Sequence, residues 1–202
     1  MNWVTLVEWL ARIIFFLLFI LSFVSLAIII DRYRFYKLLQ LPEKKFQDLI
    51  LSKDWEKLKM GIKEDQGLLG NLLQELSLHD SENYIDRAFS SFMVREKRKL
   101  DQGLAILGTL GPTAPFIGLL GTVLGIIVSF AHLSEGLTNS HTVMFSLAEA
   151  LVLTAAGLMV AIPSVVAFNY FSRKSKNVLL DVNALKDFYI AHLKPGNSHG
   201  GK

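Results

Sequence analysis

The chain has 202 residues, is 51% hydrophobic, and carries a formal net charge of +3 on 19% charged residues. With a mean hydropathy of +0.39 it is too apolar for a set of soluble domains and points to a polytopic membrane protein. The lack of cysteine excludes a disulfide framework, a thiol nucleophile and an iron–sulfur site, and the small, clustered charge argues against nucleic acid.

Residues 1–12, MNWVTLVEWLAR, are a short amphipathic start in which Trp3 and Trp9 suit a membrane interface. Residues 13–30 are an uncharged run dense in Phe, Leu and Ile, close to the roughly 20 residues a first transmembrane helix needs. The run has no glycine and reads as lipid-facing. It is too long, and lacks the small-residue cleavage site, for a removable leader, so it reads as a retained anchor. Residues 31–104 are soluble in character and are expected to be helical and cytoplasmic. Pro42 suits a first helical position, with Phe46, Leu49 and Ile50 on one face and Gly61 as a stop. LLGNLLQEL, residues 68–76, suggests a second helix. Asp80 or Ser81 can cap a third, which has neither Pro nor Gly before Gly103 and is open to running unbroken into the next span.

Residues 105–132 form the second expected span, uncharged and rich in glycine and threonine. Residues 133–143 are a short loop, and His132 and His141 are read as loop residues in water, with no second ligand set to make a metal site. Residues 144–172 are the third span, with Glu149 as its one ionisable group, and residues 173–202 are a tail ending in a disordered KPGNSHGGK. Basic clusters sit after the first span, before the second (Arg95, Lys97, Arg98 and Lys99) and after the third (Arg173 and Lys174). The positive-inside rule puts these in the cytoplasm and the N-terminus outside, in a bacterium the periplasm. The simplest role for the 95–99 run is a solvated anchor; the sharper one is contact with another subunit or with lipid headgroups. No internal repeat is apparent.

The second and third spans run in opposite directions. With Phe130 and Met144 as their outer ends, Thr122 and Thr154 fall at depths of roughly 12 and 15 Å, so their hydroxyls can share a layer. Ala150, Thr154, Gly157 and Ala161 recur on one face of the third span; Gly118, Gly121, Thr122 and Gly125 do so on the second. Two small faces with threonines at one depth suggest a tight cavity or a seat for a partner helix. The competing reading has each threonine bonding its own i−4 carbonyl and the glycines serving only as packing devices. Glu149 is a functional candidate because a carboxylate within a membrane is costly; its competing reading is an interfacial glutamate near the end of the span. GLLGTVLG lacks the Lys–Ser/Thr ending of a phosphate loop, and no Ser/His/Asp grouping has supporting context, so no enzyme is expected.

RAFSSFMVREKRKLDQGLAILGTLGPTAPFIGLLGTVLGII and SLAEALVLTAAGLMVAIPSVVAFNYF, within residues 87–175, resemble the MotA/TolQ/ExbB proton-channel family, and most closely its three-span ExbB and TolQ branch. The first span and residues 31–86 match only in length and layout. The resemblance implies an all-α protein of three transmembrane helices with long cytoplasmic extensions, assembled as a homopentameric ring in the bacterial inner membrane. It implies an ExbD- or TolR-like single-span partner inside the ring, carrying the proton on a membrane aspartate, with a TonB- or TolA-like protein engaged indirectly. By the match Thr122 and Thr154 line the pore and Glu149 is the family's third-span glutamate, while Gly118, Gly121, Gly125, Gly157 and Ala161 serve helix packing and partner contact. Ser146 stands where many relatives have glycine. No cofactor is implied. A specialised stator, as in gliding motility, and a non-conducting membrane scaffold are the alternatives.

Overall fold

The computed structural model describes residues 3–39, 60, 67–77, 82–134 and 140–193. Among these residues every regular element is an α-helix: α1 (Trp3–Leu38), α2 (Leu68–Leu76), α3 (Glu82–Leu100), α4 (Leu104–Ser134) and α5 (Ser140–Leu193). Three of them, α1, α4 and α5, are long and apolar enough to cross a membrane. The expected start at Pro42, the stop at Gly61, the cap at Asp80 or Ser81 and the terminal KPGNSHGGK lie outside the described residues. The chain divides into two compact units, Met1–Arg32 with Gly103–Phe171 and Tyr33–Gln102 with Ser172–Lys202.

In the first unit α1 contributes one narrow buried edge, Ile14, Leu18 and Ser25, at steps of four and seven residues, one and two helical turns. Phe16, Phe19, Ile20 and Phe23 on the rest of its circumference are exposed, as expected of a glycine-free helix with one partnered edge. That edge lies over the seam between α4 and α5. Val4 packs with Val128 and Ala131. Ile14 and Leu18 pack with Leu153, against Ile117 and Leu124. Leu21 joins Ala114, Val160 and Ala161. The amphipathic start is continuous with the first span, because α1 has no break near Arg12.

Both apolar partners of α1 contain proline. Pro112 and Pro115 lie inside α4 and Pro163 inside α5. Each removes one amide donor from the ladder. The helices persist because the freed groups are few and neighbouring helices hold the backbone. Thr109 and Thr113 donate to the carbonyls of Ala105 and Thr109 at 2.9 and 2.6 Å, so both hydroxyls are satisfied within their own helix.

The sequence leaves α3 open to running into α4 without interruption; the structure breaks it at residues 101–103. Gly103 sits at φ +75°, a left-handed conformation that ends a helix readily only as glycine. A β-carbon there would also lie 3.0 Å from Ile28 Cγ2. Gly103→Ala is therefore expected to destabilise the fold by about 1–2 kcal/mol from backbone strain alone. Thermal unfolding in detergent checks this, and an unchanged midpoint would show that the turn re-forms without the left-handed residue.

The second unit has a leucine- and aromatic-rich core: Leu69, Leu72 and Leu76 of α2, Ile85, Phe89 and Phe92 of α3, and Val178, Val182 and Leu185 of α5. The expected helix over residues 68–76 is α2 itself. Two buried tyrosines complete helix C-termini, where carbonyls lack intrahelical donors. Tyr189 donates to Leu76 O at 3.4 Å and Tyr36 to Leu100 O at 3.2 Å. Ser175 donates to Asp101 Oδ1 at 2.8 Å, tying α5 to the turn that follows α3.

Candidate functional site

The closest approach in the first unit is backbone on backbone. A β-carbon on Gly118 would lie 2.7 Å from Leu153 O and 3.0 Å from Thr154 Cα; one on Gly157 would lie 2.6 Å from Ala114 O and 3.2 Å from Gly118 Cα. Any side chain at either position would displace main chain. The other glycines of α4 meet side chains: Gly121 faces Leu153 and Ile14, Gly125 faces the β-carbon of Ala150, and Gly111 faces Val165. Ala161 packs with Ala114 and Val160. The small faces of α4 and α5 thus face each other within one chain, and the space at Gly118 and Gly157 is filled by the facing helix.

This crossing puts Thr122 and Thr154 side by side. Thr154 Oγ1 is 3.4 Å from Thr122 Oγ1, and Thr122 donates to Leu119 O at 2.7 Å. Thr122 is 6% exposed and Thr154 half-buried, so one hydroxyl is enclosed and its neighbour is partly open. Thr122 thus bonds its own helix and also pairs across the seam. Glu149 is not brought to this pair. Five residues from Thr154, it is rotated by about 140° on the same helix and lies on the exposed side of α5. Two hydroxyls and no carboxylate can solvate or pass a proton but cannot hold one at neutral pH.

Two further hydroxyl pairs flank the threonines. Ser129 and Ser146 are 2.8 Å apart, as are Ser25 and Ser164. Sequence alone did not single out Ser129, Ser25 or Ser164. A signal existed for two of them: Ser129 extends the Gly118–Thr122–Gly125 progression by four residues, and Ser164 extends Gly157–Ala161 by three. Nothing in the sequence marks Ser25. His132 and His141, assigned to the loop from sequence, both lie in helices, because α4 extends to Ser134 and α5 begins at Ser140. The packing of Ala131 on Val4 carries α4 past that point, and His132 Nε2 comes within 3.4 Å of Glu8 Oε1.

The basic residues lie in the second unit. Arg95 bonds Glu75 at 2.8 Å, and Lys99 bonds Glu96 at 2.8 Å. The hydrogen bond that Arg95 donates to Glu75, then the one it donates to Glu96, raises its guanidinium above the ordinary range. A raised pKa loses its contribution only as pH climbs through it, so this cation persists at every physiological pH. Lys97, Arg98 and Arg173 are exposed, and Lys174 Nζ lies 5.8 Å from the Tyr36 ring centroid. The pairs join exposed cations to a half-buried Glu75 and a buried Glu96, so the Arg95 and Lys99 side chains remain at the surface.

Comparison with known proteins bears on the same segment. Residues 61–184, more than half of the chain, match the model of the MotA/TolQ/ExbB proton channel family. The biopolymer transport protein ExbB of Xanthomonas campestris is 39% identical over 129 residues, covering 61% of this chain and 50% of that protein. ExbB of Aquifex aeolicus is 38% identical over 141 residues, covering 61% of this chain and 91% of its own length. The Tol-Pal system protein TolQ of Pseudomonas aeruginosa is 43% identical over 96 residues, 47% of this chain and 42% of that protein. The chain spans about half the length of the Xanthomonas relative it matches. With the paired threonine helices inside the matched segment, the chain belongs to the MotA/TolQ/ExbB proton channel family.

Proposed function

We propose that the protein is a stator subunit of the bacterial inner membrane that couples the proton-motive force to movement of an ExbD- or TolR-like partner, energising TonB-dependent transport or Tol–Pal envelope work. The observation that carries this reading is the Thr122–Thr154 hydroxyl pair at the crossing of two apolar helices. A homopentameric ring of such chains places a polar layer in an apolar wall. The partner's membrane aspartate faces the apolar wall when neutral and needs the hydroxyl layer when charged, since an unsolvated carboxylate in hydrocarbon is costly. Rotation alternates the two states. In this arrangement Glu149, on the exposed side of α5, acts nearer the periplasmic mouth than the threonines. Arg95, Lys97, Arg98, Lys99, Arg173 and Lys174 mark the cytoplasmic side, with the N-terminus in the periplasm and residues 31–104 and 173–202 in the cytoplasm.

The test is co-expression with an ExbD- or TolR-like chain, subunit counting by native mass spectrometry, and proton flux into proteoliposomes. A complex of five copies around the partner is expected, with flux that disappears when the partner aspartate is replaced by asparagine. A stable partner complex without flux would turn the reading to a non-conducting scaffold.

A further inference from the structure

The three interhelical hydroxyl pairs of the first unit are wired alike. Ser129 and Ser146 each have a carbonyl of their own helix in reach, Gly125 O at 2.8 Å and Val143 O at 3.1 Å, so either hydroxyl can donate the 2.8 Å bond between them. Ser164 donates to Val160 O at 2.7 Å, so the bond with Ser25 is donated by Ser25. Thr122 donates to Leu119 O, and Thr154 donates to Thr122. In every pair one hydroxyl gives its proton across the seam and the other gives its proton to a carbonyl of its own helix. Each hydroxyl has a single proton to give, so in this arrangement each two-member chain ends on a backbone oxygen.

The pairs differ in tightness. Both serine bonds, at 2.8 Å, lie within the ordinary O–H···O range, and the threonine contact, at 3.4 Å, lies beyond it. Ser129, Ser25 and Ser164 are 1%, 3% and 0% exposed, so each would be costly to leave unpaired. Along α5, Ser146 is eight residues on one side of Thr154 and Ser164 ten on the other, about 12 and 15 Å. The serine bonds therefore bracket the threonine layer. One joins α4 to α5. The other joins α5 to α1, whose Ile14 and Leu21 reach over the same seam.

We infer that Ser129–Ser146 and Ser25–Ser164 are clasps that fix the separation of Thr122 and Thr154, leaving that looser pair able to turn its hydroxyls toward a visiting carboxyl. The last clause rests on the proton-channel reading; the clasps themselves do not. The four serines are positioning residues. Their protons are committed to one another and to backbone, so their effect on proton movement is exerted through the spacing of the threonines.

The lack of cysteine in this chain makes a clean test available. Thr122→Cys and Thr154→Cys place two thiols where hydroxyls now stand 3.4 Å apart, within reach of a disulfide. The oxidation rate of that pair, in membranes containing the assembled complex, reads the separation. Adding Ser146→Ala and Ser164→Ala is expected to change the rate by about eightfold, the combined weight of two interhelical hydroxyl bonds in a bilayer. If that variant does not assemble, Ser146→Ala alone is expected to change it by about threefold. An unchanged rate in an assembled complex overturns the clasps. Proton flux is measured in parallel with the threonines intact and is expected to fall by a comparable factor. Altered cross-linking with unaltered flux would keep the clasps and remove the proton role of the threonines. Unaltered cross-linking with lost flux would overturn the clasps and show that the serines act on proton movement other than through the threonine spacing.

Discussion

Thr154→Ala combined with Thr122→Val is expected to lower proton flux by about a hundredfold while leaving the assembled complex intact. Valine keeps the shape of threonine, and Leu119 O retains its helical amide after losing the Thr122 hydroxyl, so the enclosed side of the pair loses polarity without gaining an unpaired group. Thr154 is half-buried, so its truncation leaves little cavity. What disappears is the polar layer where a carboxylate would be solvated, and the cost of charging that carboxylate in hydrocarbon then sets the barrier. Thr154→Ser, which keeps a hydroxyl, is expected to retain most of the flux. Proteoliposome flux and native electrophoresis on the same preparations separate conduction from assembly. Wild-type flux from the double variant would sink the threonine layer as a proton site.

Gly157→Ala and Gly118→Ala are expected to destabilise the three-helix unit by about 3 kcal/mol or more, the upper end for overpacking, and to leave little assembled protein. The added methyl group meets Ala114 O at 2.6 Å in one case and Leu153 O at 2.7 Å in the other. Neither atom can rotate away, so the helices must separate. Gly121→Ala is the control. Its methyl group meets Leu153 Cδ1 at 3.0 Å, Leu153 Cβ at 3.1 Å and Ile14 Cγ2 at 3.3 Å; the two methyl groups yield by changing rotamer and the Cβ needs a shift of only a few tenths of an ångström, so a smaller loss is expected. The thermal midpoint of the detergent-solubilised protein checks all three. Equal losses at Gly118, Gly121 and Gly157 would show that the crossing is not backbone-limited.

The three spans were legible because uncharged runs of this length rarely occur outside a bilayer, and the threonine layer because counting residues inward from two antiparallel ends needs no side-chain geometry. Other features were hidden for physical reasons. Gly103 looked no different in sequence from the glycines of α4, yet it alone has positive φ among the described residues and it alone stops a helix. Composition marked the glycines of α4 as sites of close approach and favoured another chain's helix as what they approach; at the crossing the register of α5 instead sets Gly157 against Gly118 within one chain. The periodicity that found Thr154 also bears on Glu149, since five residues turn a helix well away from a shared face. The partner of Ser25 was beyond reach, because a serine in a lipid-facing run signals nothing until its neighbouring helix is known.

The Gly118–Gly157 crossing has an electrostatic consequence. The groups that hold it are main-chain carbonyls and α-carbons, in line for weak Cα–H···O contacts worth about 0.5–1 kcal/mol each. They neither titrate nor carry formal charge, and they have no torsion to relax. Thr122 and Thr154 stand four and three residues from them. In the proposed channel a charge arriving at those hydroxyls would meet main-chain dipoles already fixed in place, so the backbone's share of the reorganisation energy would be small.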